Sequence, residues 1–352
     1  MINFLFKRTG QGILVLFGVV IVVFLLFNAL PGDPVSLMVG QRTDVSTREA
    51  IMKDLGLDKP LYLQFFIYLN DISPISFHEN TEENKNKYEY TPVYEFSQKT
   101  VFVVKTPYLR RSFTTGKKVS EIIMEHVPGS FWLAVSAMLF ATIVGITFGV
   151  VASLTQNSIW DHSMIVTSIF GFSLPSFFAA ILISWLFGYK LADYTGLNLT
   201  GTLWVTDPIF GQKLVLKNLI LPAFTLGIRP LSIIVQLTRS SMLDVLSQDY
   251  IRTAHAKGLQ NRIVIYRHAL KNALNPVITA ISGWLASLIT GSFFVEYIFS
   301  WKGLGKITIE SVSKLDFPVV MGSTIFVATI FVISNVLVDM LYAALDPRVR
   351  LE

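Results

Sequence analysis

Six runs of predominantly apolar residues divide the chain, at 12–30, 130–154, 163–189, 219–237, 274–295 and 318–338. An α-helix needs about 20 such residues to cross the hydrocarbon of a bilayer. The pattern therefore predicts an all-α membrane protein with six transmembrane helices. A long polar stretch, 32–129, forms a large insertion after the first helix. The first run follows Lys7 and Arg8 like a secretory leader, but it is too long for one and no small-residue cleavage site follows, so it reads as a retained anchor. Pro175 lies inside the third run and predicts a kink there. Pro222, Arg229 and Pro230 interrupt the fourth. A charge within a span is expensive, so Arg229 should face protein or water, unless it snorkels from a helix end marked by Pro230 or forms a structural ion pair.

The polar stretches differ from one another. Residues 46–55 have a helical pattern, whereas 70–118 is rich in Asn, Glu, Lys and Tyr and reads as a small α/β or partly ordered module. Alternating or β-branched residues at 88–94 and 100–105 permit two short strands within it. The segments are thus 1–31 (tail and first helix), 32–129 (insertion), 130–346 (five-helix core with a basic loop at 239–273) and a tail, 347–352.

Charge sets the expected orientation. Arg239, Arg252, Lys257, Arg262, Arg267 and Lys271 crowd one loop against Asp244 and Asp249. With six spans, that loop shares a side with Lys7 and Arg8 and with Arg348 and Arg350, and the excess of basic residues makes the side cytoplasmic. Both termini are then cytoplasmic and the insertion external. The net charge of +5 is accordingly a topological signal and not a nucleic-acid footprint. Only 15% of residues are charged, against roughly 25% in soluble domains, which marks the bilayer as the partner.

Enzymatic chemistry has little to stand on. There are no cysteines, and the five histidines (His78, His126, His162, His255, His268) form no HExxH pair. No phosphate-binding loop or G-x-S-x-G elbow occurs, so no cofactor or metal is expected, and any ATP used must be bound by another chain. Asn198-Leu199-Thr200 fits a glycosylation sequon, which a bacterial membrane context would make irrelevant.

Two kinds of feature remain. Small residues recur every fourth position, as Ala137, Ala141, Gly145 and Gly149 and again as Gly283, Ser287 and Gly291. Such faces let membrane helices pack closely, or line a pathway. The second feature is the basic segment Asp249-Tyr250-Ile251-Arg252-Thr253-Ala254-His255-Ala256-Lys257-Gly258-Leu259. Asp249 is a natural N-cap and Gly258 a natural left-handed terminator, predicting a helix of about two turns. It is too short to be stable alone. It either docks in a partner's groove or lies on anionic lipid.

That segment resembles the loop signature of binding-protein-dependent importer permeases, in their oligopeptide/dipeptide branch, with His255 where arginine is usual. The resemblance continues in Arg267-His268-Ala269-Leu270-Lys271-Asn272-Ala273-Leu274-Asn275-Pro276. It extends to Leu30-Pro31-Gly32-Asp33-Pro34, to Leu55-Gly56-Leu57-Asp58-Lys59-Pro60 and to Glu296-Tyr297-Ile298-Phe299-Ser300-Trp301-Lys302-Gly303-Leu304-Gly305, where Lys302 replaces the usual proline. Asp316-Phe317-Pro318, Asp339-Met340-Leu341-Tyr342 and Leu345-Asp346-Pro347-Arg348-Val349-Arg350 complete it; residues 73–118 have no counterpart.

The resemblance implies a type I ABC importer permease fold in a bacterial inner membrane. It also implies a second, similar permease as heterodimer partner, two ABC ATPase subunits, and an external solute-binding protein that delivers peptide. In that scheme the short helix couples to the ATPase: Asp249 caps it, Ala254 is its close-packing surface, Gly258 is its turn, and Tyr250, Arg252, Thr253, His255 and Lys257 complete the contact. The competing reading is a self-sufficient channel or ion-coupled transporter. It needs charges within the membrane or broken half-helices at its midplane; Arg229 and Asp339, both near span ends, are the candidates, and no internal repeat supports it.

Overall fold

The structure, a computed structural model, describes residues 2–29, 52, 56, 58–95 and 100–345. The motifs at 30–34 and 346–350, Leu55, Leu57 and all but Met52 of the 46–55 segment lie outside them. The chain divides into two compact units, one of residues 1–16, 126–307 and 327–352, the other of 17–125 and 308–326.

Helices start before the apolar runs that announce them. α1 spans Ile2–Ala29 and begins well before its run. About three helical turns of amphipathic sequence, with Val119, Ile122 and Ile123 buried, precede the second run. The helix therefore starts earlier than hydropathy suggests, and α4, which follows the elements of the insertion described below, spans Val119–Leu154 and passes through Pro128.

In the insertion, α2 (Leu61–Ile72) places Tyr68 against Val20 and Phe24 of α1 and against Met321. An antiparallel sheet follows, of β1 (Ile75–Glu79), β2 (Thr91–Glu95) and β3 (Thr100–Val104) in the order β1-β3-β2. Phe77 sits opposite Phe102 across β1 and β3. Helix α3 (Glu82–Tyr88) joins β1 to β2, capped where Thr81 Oγ1 accepts from the Asn84 amide. The α/β reading of 70–118 thus has a definite form, with two adjustments. The first strand expected at 88–94 starts at Thr91, because Tyr88 ends a helix, and β1 and α3 had no signal long enough to detect.

Asp316 fastens the end of this module. Its carboxylate accepts from Ser112 Oγ (2.5 Å), the Phe113 amide (2.9 Å) and Thr114 Oγ1 (2.7 Å). That is a structural role for the Asp316-Phe317-Pro318 motif, and α12 (Phe317–Leu345) begins at the next residue.

The other unit holds most of the helices. α5 (Ile159–Ser173) and α6 (Ser176–Trp185) were expected as one kinked span. They are instead two helices bent by 107°. A proline drives the preceding residue out of helical conformation, and Leu174 sits at ψ 132° with Pro175 at ψ 136°. Pro175 is therefore the start of a new helix and not a kink in an old one. A π-helical turn, Leu186–Lys190, extends α6, and a hairpin of β4 (Trp204–Asp207) and β5 (Gly211–Leu214) leads onward.

α7 (Lys217–Leu246) is continuous through Pro222, Arg229 and Pro230, which were read as interruptions. Both prolines are buried, and in a membrane neighbouring helices compensate for their missing hydrogen bonds. After α8 (Asp249–Ala256), a short turn and a π-helical segment (Val264–Leu270) lead into α9 (Lys271–Gly291). α10 (Phe293–Ile298) and α11 (Leu304–Ser313) precede α12.

Among the described residues, five helical stretches are long and apolar enough to cross a membrane, and the α5–α6 pair makes six if it is one broken span.

Candidate functional site

The basic segment folds as expected in outline and differently in detail. α8 is eight residues long. Asp249 is its first helical residue and not its cap. Gln248 occupies the cap position at φ −75°, ψ 149°, without a side-chain capping bond; its Nε2 instead donates back to the Asp244 carbonyl. The Asp249 carboxylate instead pairs with Arg252 Nη1 at 3.3 Å, one turn on, and Thr253 Oγ1 donates to the Asp249 carbonyl. At the other end Gly258 takes φ +74°. Its amide donates to the His255 carbonyl (2.9 Å), and the Leu259 amide to that of Ala254 (3.4 Å). This pair of bonds is the glycine-terminated closure that satisfies the last carbonyls of a helix.

One face of α8 is already used. Ile251 and Ala254 are buried with Val150, Met242, Val264, Ala269 and Ala273. The expectation that Ala254 offers a surface to another chain is therefore corrected: its methyl packs into this chain's own core. Anchoring is what lets so short a helix persist. Ala269 and Ala273 explain the alanines of the following motif, and Asn272 Nδ2 donates to Tyr250 Oη at 2.9 Å. The opposite face, Tyr250, Arg252, Thr253, His255, Ala256 and Lys257, is exposed. The segment is thus a rigid, self-seated helix presenting a mixed basic and hydroxyl-bearing surface.

The small-residue faces separate into two cases. Ala141 is fully buried, and a Cβ added at Gly145 would lie 2.7 Å from Ile234 Cγ2. At Gly149 an added Cβ would meet the Val235 carbonyl at 2.8 Å. These residues seat α4 on α7 within the chain. Gly283 and Ser287 are exposed, a Cβ at Gly283 would meet nothing within 4 Å, and Gly291 is the last residue of α9.

Arg229 lies near the middle of α7, so neither snorkelling from a helix end nor an end at Pro230 applies. Its guanidinium carbon is 5.4 Å from the ring centroid of Phe172, at the end of α5. Its Nε is buried without a hydrogen-bond partner. Asp339, the other candidate charge, pairs with Arg8 at 3.2 Å.

Two anchoring groups had no assigned role. Asp161, buried at the start of α5, receives both Nε and Nη2 of Arg239. Its only sequence signal was the capping spacing Ser158-x-x-Asp161, in which Ser158 Oγ accepts from the Asp161 amide. Glu296 is fully buried and accepts from Ser130 Oγ, Ser292 Oγ and the amides of Gly305 and Lys306. The Glu296-to-Gly305 motif is thereby a folded hub: its glutamate binds the first amides of α11.

Comparison with known proteins places this geometry. Residues 145–351 match the family model described as "Binding-protein-dependent transport system inner membrane component", and residues 1–134 match its N-terminal companion. The chain is 34% identical to a di/tripeptide transport system permease of Pseudomonas aeruginosa, covering 99% of each. It is 33% identical to a dipeptide permease of Alkalihalophilus pseudofirmus (99% of this chain, 100% of that one). An oligopeptide permease of Bacillus subtilis is 33% identical, over 99% and 100% respectively.

Proposed function

From the premise that this chain belongs to the family of binding-protein-dependent transport system inner membrane components, we propose that it is one half of a heterodimeric peptide pathway, driven through α8. The chain is a permease subunit of an ABC importer of peptides in the inner membrane, works with an ATPase and a binding protein, and is not itself an enzyme.

The observation that carries the coupling assignment is the division of α8 into a buried face and an exposed one. A helix that transmits movement must be fixed to the moving body and free toward its driver. Ile251 and Ala254 supply the attachment, and Tyr250, Arg252, Thr253, His255 and Lys257 the free surface. Asp249 holds Arg252 in place from the same turn, and Gly258 ends the helix sharply. When two ATPase subunits close around ATP, a seated α8 follows and biases the permease between inward-facing and outward-facing states. The basic loop faces the cytoplasm by charge, with both termini on the same side, and the module of β1, β2, β3 and α3 is then external.

Affinity purification from detergent-solubilised membranes tests the assembly. A second permease and ATPase subunits should co-purify in stoichiometric amounts, and an Arg252→Glu, Lys257→Glu variant should lose the ATPase while keeping the second permease. Recovery of the chain alone or with itself refutes the heterodimer; undiminished ATPase in the variant refutes the docking face.

A further inference from the structure

The chain neutralises two of its helix-borne arginines with its own carboxylates. Arg239 is held by Asp161, and Arg8 by Asp339. Arg229 is treated differently. It sits about 18 Å along α7 from the helix start at 1.5 Å per residue, and no carboxylate among the described residues pairs with it. Its Nε is buried with no acceptor, and its guanidinium stacks on Phe172. A guanidinium held at membrane depth without a counter-charge is costly and calls for an anion. The ring beneath it contributes a cation–π contact but no charge.

The surroundings describe the missing partner. Gly171, beside Phe172, lies against Ile228, beside Arg229, so closely that an added Cβ would approach Ile228 Cγ2 at 2.1 Å. The crossing of α5 and α7 is thus tight, and the arginine cannot swing freely behind it. Phe172 itself is 37% exposed, and Phe177 and Phe178, just past the helix break, are 47% exposed each. A fixed cation over the partly exposed ring of Phe172 suits a ligand with one constant carboxylate and variable side chains. Short peptides answer that description, because the C-terminal carboxylate is common to all of them while the side chains differ.

We propose that Arg229 binds the C-terminal carboxylate of the peptide during its passage, with Phe172 positioning the guanidinium. The assignment rests on the peptide-importer reading and names the group by which this chain recognises its cargo. A fork of N–H donors meets a carboxylate in two parallel bonds, which a lysine cannot reproduce in full.

The test uses the complete importer in proteoliposomes with its binding protein and ATP. Uptake of L-alanyl-L-phenylalanine is measured for wild type, Arg229→Gln and Arg229→Lys, together with ATPase stimulation by loaded binding protein. Loss of a charged hydrogen-bonding partner should lower uptake in Arg229→Gln on the order of tenfold or more. Arg229→Lys should recover part of it, with ATPase stimulation unchanged in both. The C-terminal amide of the same peptide, supplied at concentrations that saturate the binding protein in its own titration, should be carried equally by wild type and Arg229→Gln. Uptake by Arg229→Gln within twofold of wild type overturns the proposal. So does an Arg229→Lys variant as impaired as Arg229→Gln, or loss of ATPase stimulation in proportion, which would mark a pairing with a neighbouring subunit or lipid. A wild-type complex that accumulates no peptide sinks the importer reading itself, an outcome separate from all of these.

Discussion

Arg239 grips Asp161 with two parallel hydrogen bonds, Nε to Oδ1 at 2.6 Å and Nη2 to Oδ2 at 2.7 Å, tying α7 to the first turn of α5. The carboxylate is almost wholly buried and also accepts from the Asn157 amide. Removing Asp161 leaves the Arg239 guanidinium, itself only partly buried, without its partner, at a cost of about 1–3 kcal/mol. Asp161→Ala should therefore lower thermal stability in detergent sharply. The double variant Asp161→Ala, Arg239→Met should regain part of the loss, because no unpaired charge remains. A double variant as unstable as the sum of the singles would show that the two residues act separately.

Glu296 organises the start of α11 in the same spirit. Gly303 and Gly305 leave room for it: a Cβ at Gly303 would lie 2.4 Å from its Oε2, and one at Gly305 would strike the Phe293 Cα at 2.3 Å. Glu296→Ala leaves the Ser130, Ser292 and Gly305 donors without their shared acceptor, and each unsatisfied buried group costs about 1–3 kcal/mol. Both Glu296→Ala and Gly305→Ala should reduce the folded fraction recovered from membranes, as read by size-exclusion chromatography. A monodisperse Gly305→Ala protein at wild-type yield would contradict the packing described.

Gly258 offers a cleaner separation of conformation from contact. A Cβ there would meet nothing within 4 Å, so substitution brings no clash, only the strain of a side chain at φ +74°. That strain is about 1–2 kcal/mol for an ordinary L-residue. Gly258→Asn, which tolerates this region, should transport nearly as well as wild type. Gly258→Val should fray the end of α8 and weaken the link between ATP hydrolysis and uptake. The readout is peptide accumulated per ATP hydrolysed in proteoliposomes; equal ratios for the two variants would remove Gly258 from the coupling argument.

The β1–β3 module should respond to acid through His78. Its imidazole is stacked on Tyr88 and hydrogen-bonded to Ser76. Burial, and then the charges of Lys105 and Lys87, push its pKa down from 6.5 to about 4. The unfolded ring titrates at its ordinary value, so between these two pH values the unfolded module binds a proton that the folded one does not. The contribution of the neutral ring is present in full above pH 6.5 and is lost as pH falls through about 4. Hydrogen exchange across residues 75–104 of the full chain should accelerate over that interval in wild type and much less in His78→Gln. Equal acceleration in both would assign the acid response elsewhere.

Much of this architecture was legible in the chain. Apolar runs announce helices because a bilayer demands about 20 residues whatever the fold, and the Asp249-to-Gly258 segment announced α8 because glycine alone readily takes φ +74°. What failed to show was decided by neighbours. α4 starts at Val119 because Ile122 and Ile123 find a buried surface that the polar residues between them conceal from any hydropathy average. α7 survives two prolines and an arginine because packing outweighs local propensity. β1 and α3 are too short to carry a period.

The sequence by itself determined the apolar runs, the basic loop and the family, since each depends on residue type at close spacing. The tertiary structure alone decided which face of α8 is spent on this chain and which is free, because burial of Ile251 and Ala254 depends on Val150, from a helix distant in sequence, as well as on Met242 of the preceding helix. It also decided that Arg239 and Arg8 are paired while Arg229 meets no carboxylate among the described residues. Ion pairing is a matter of which carboxylate lies within reach, and a separation of 78 residues between Asp161 and Arg239 leaves no local pattern that could have said so.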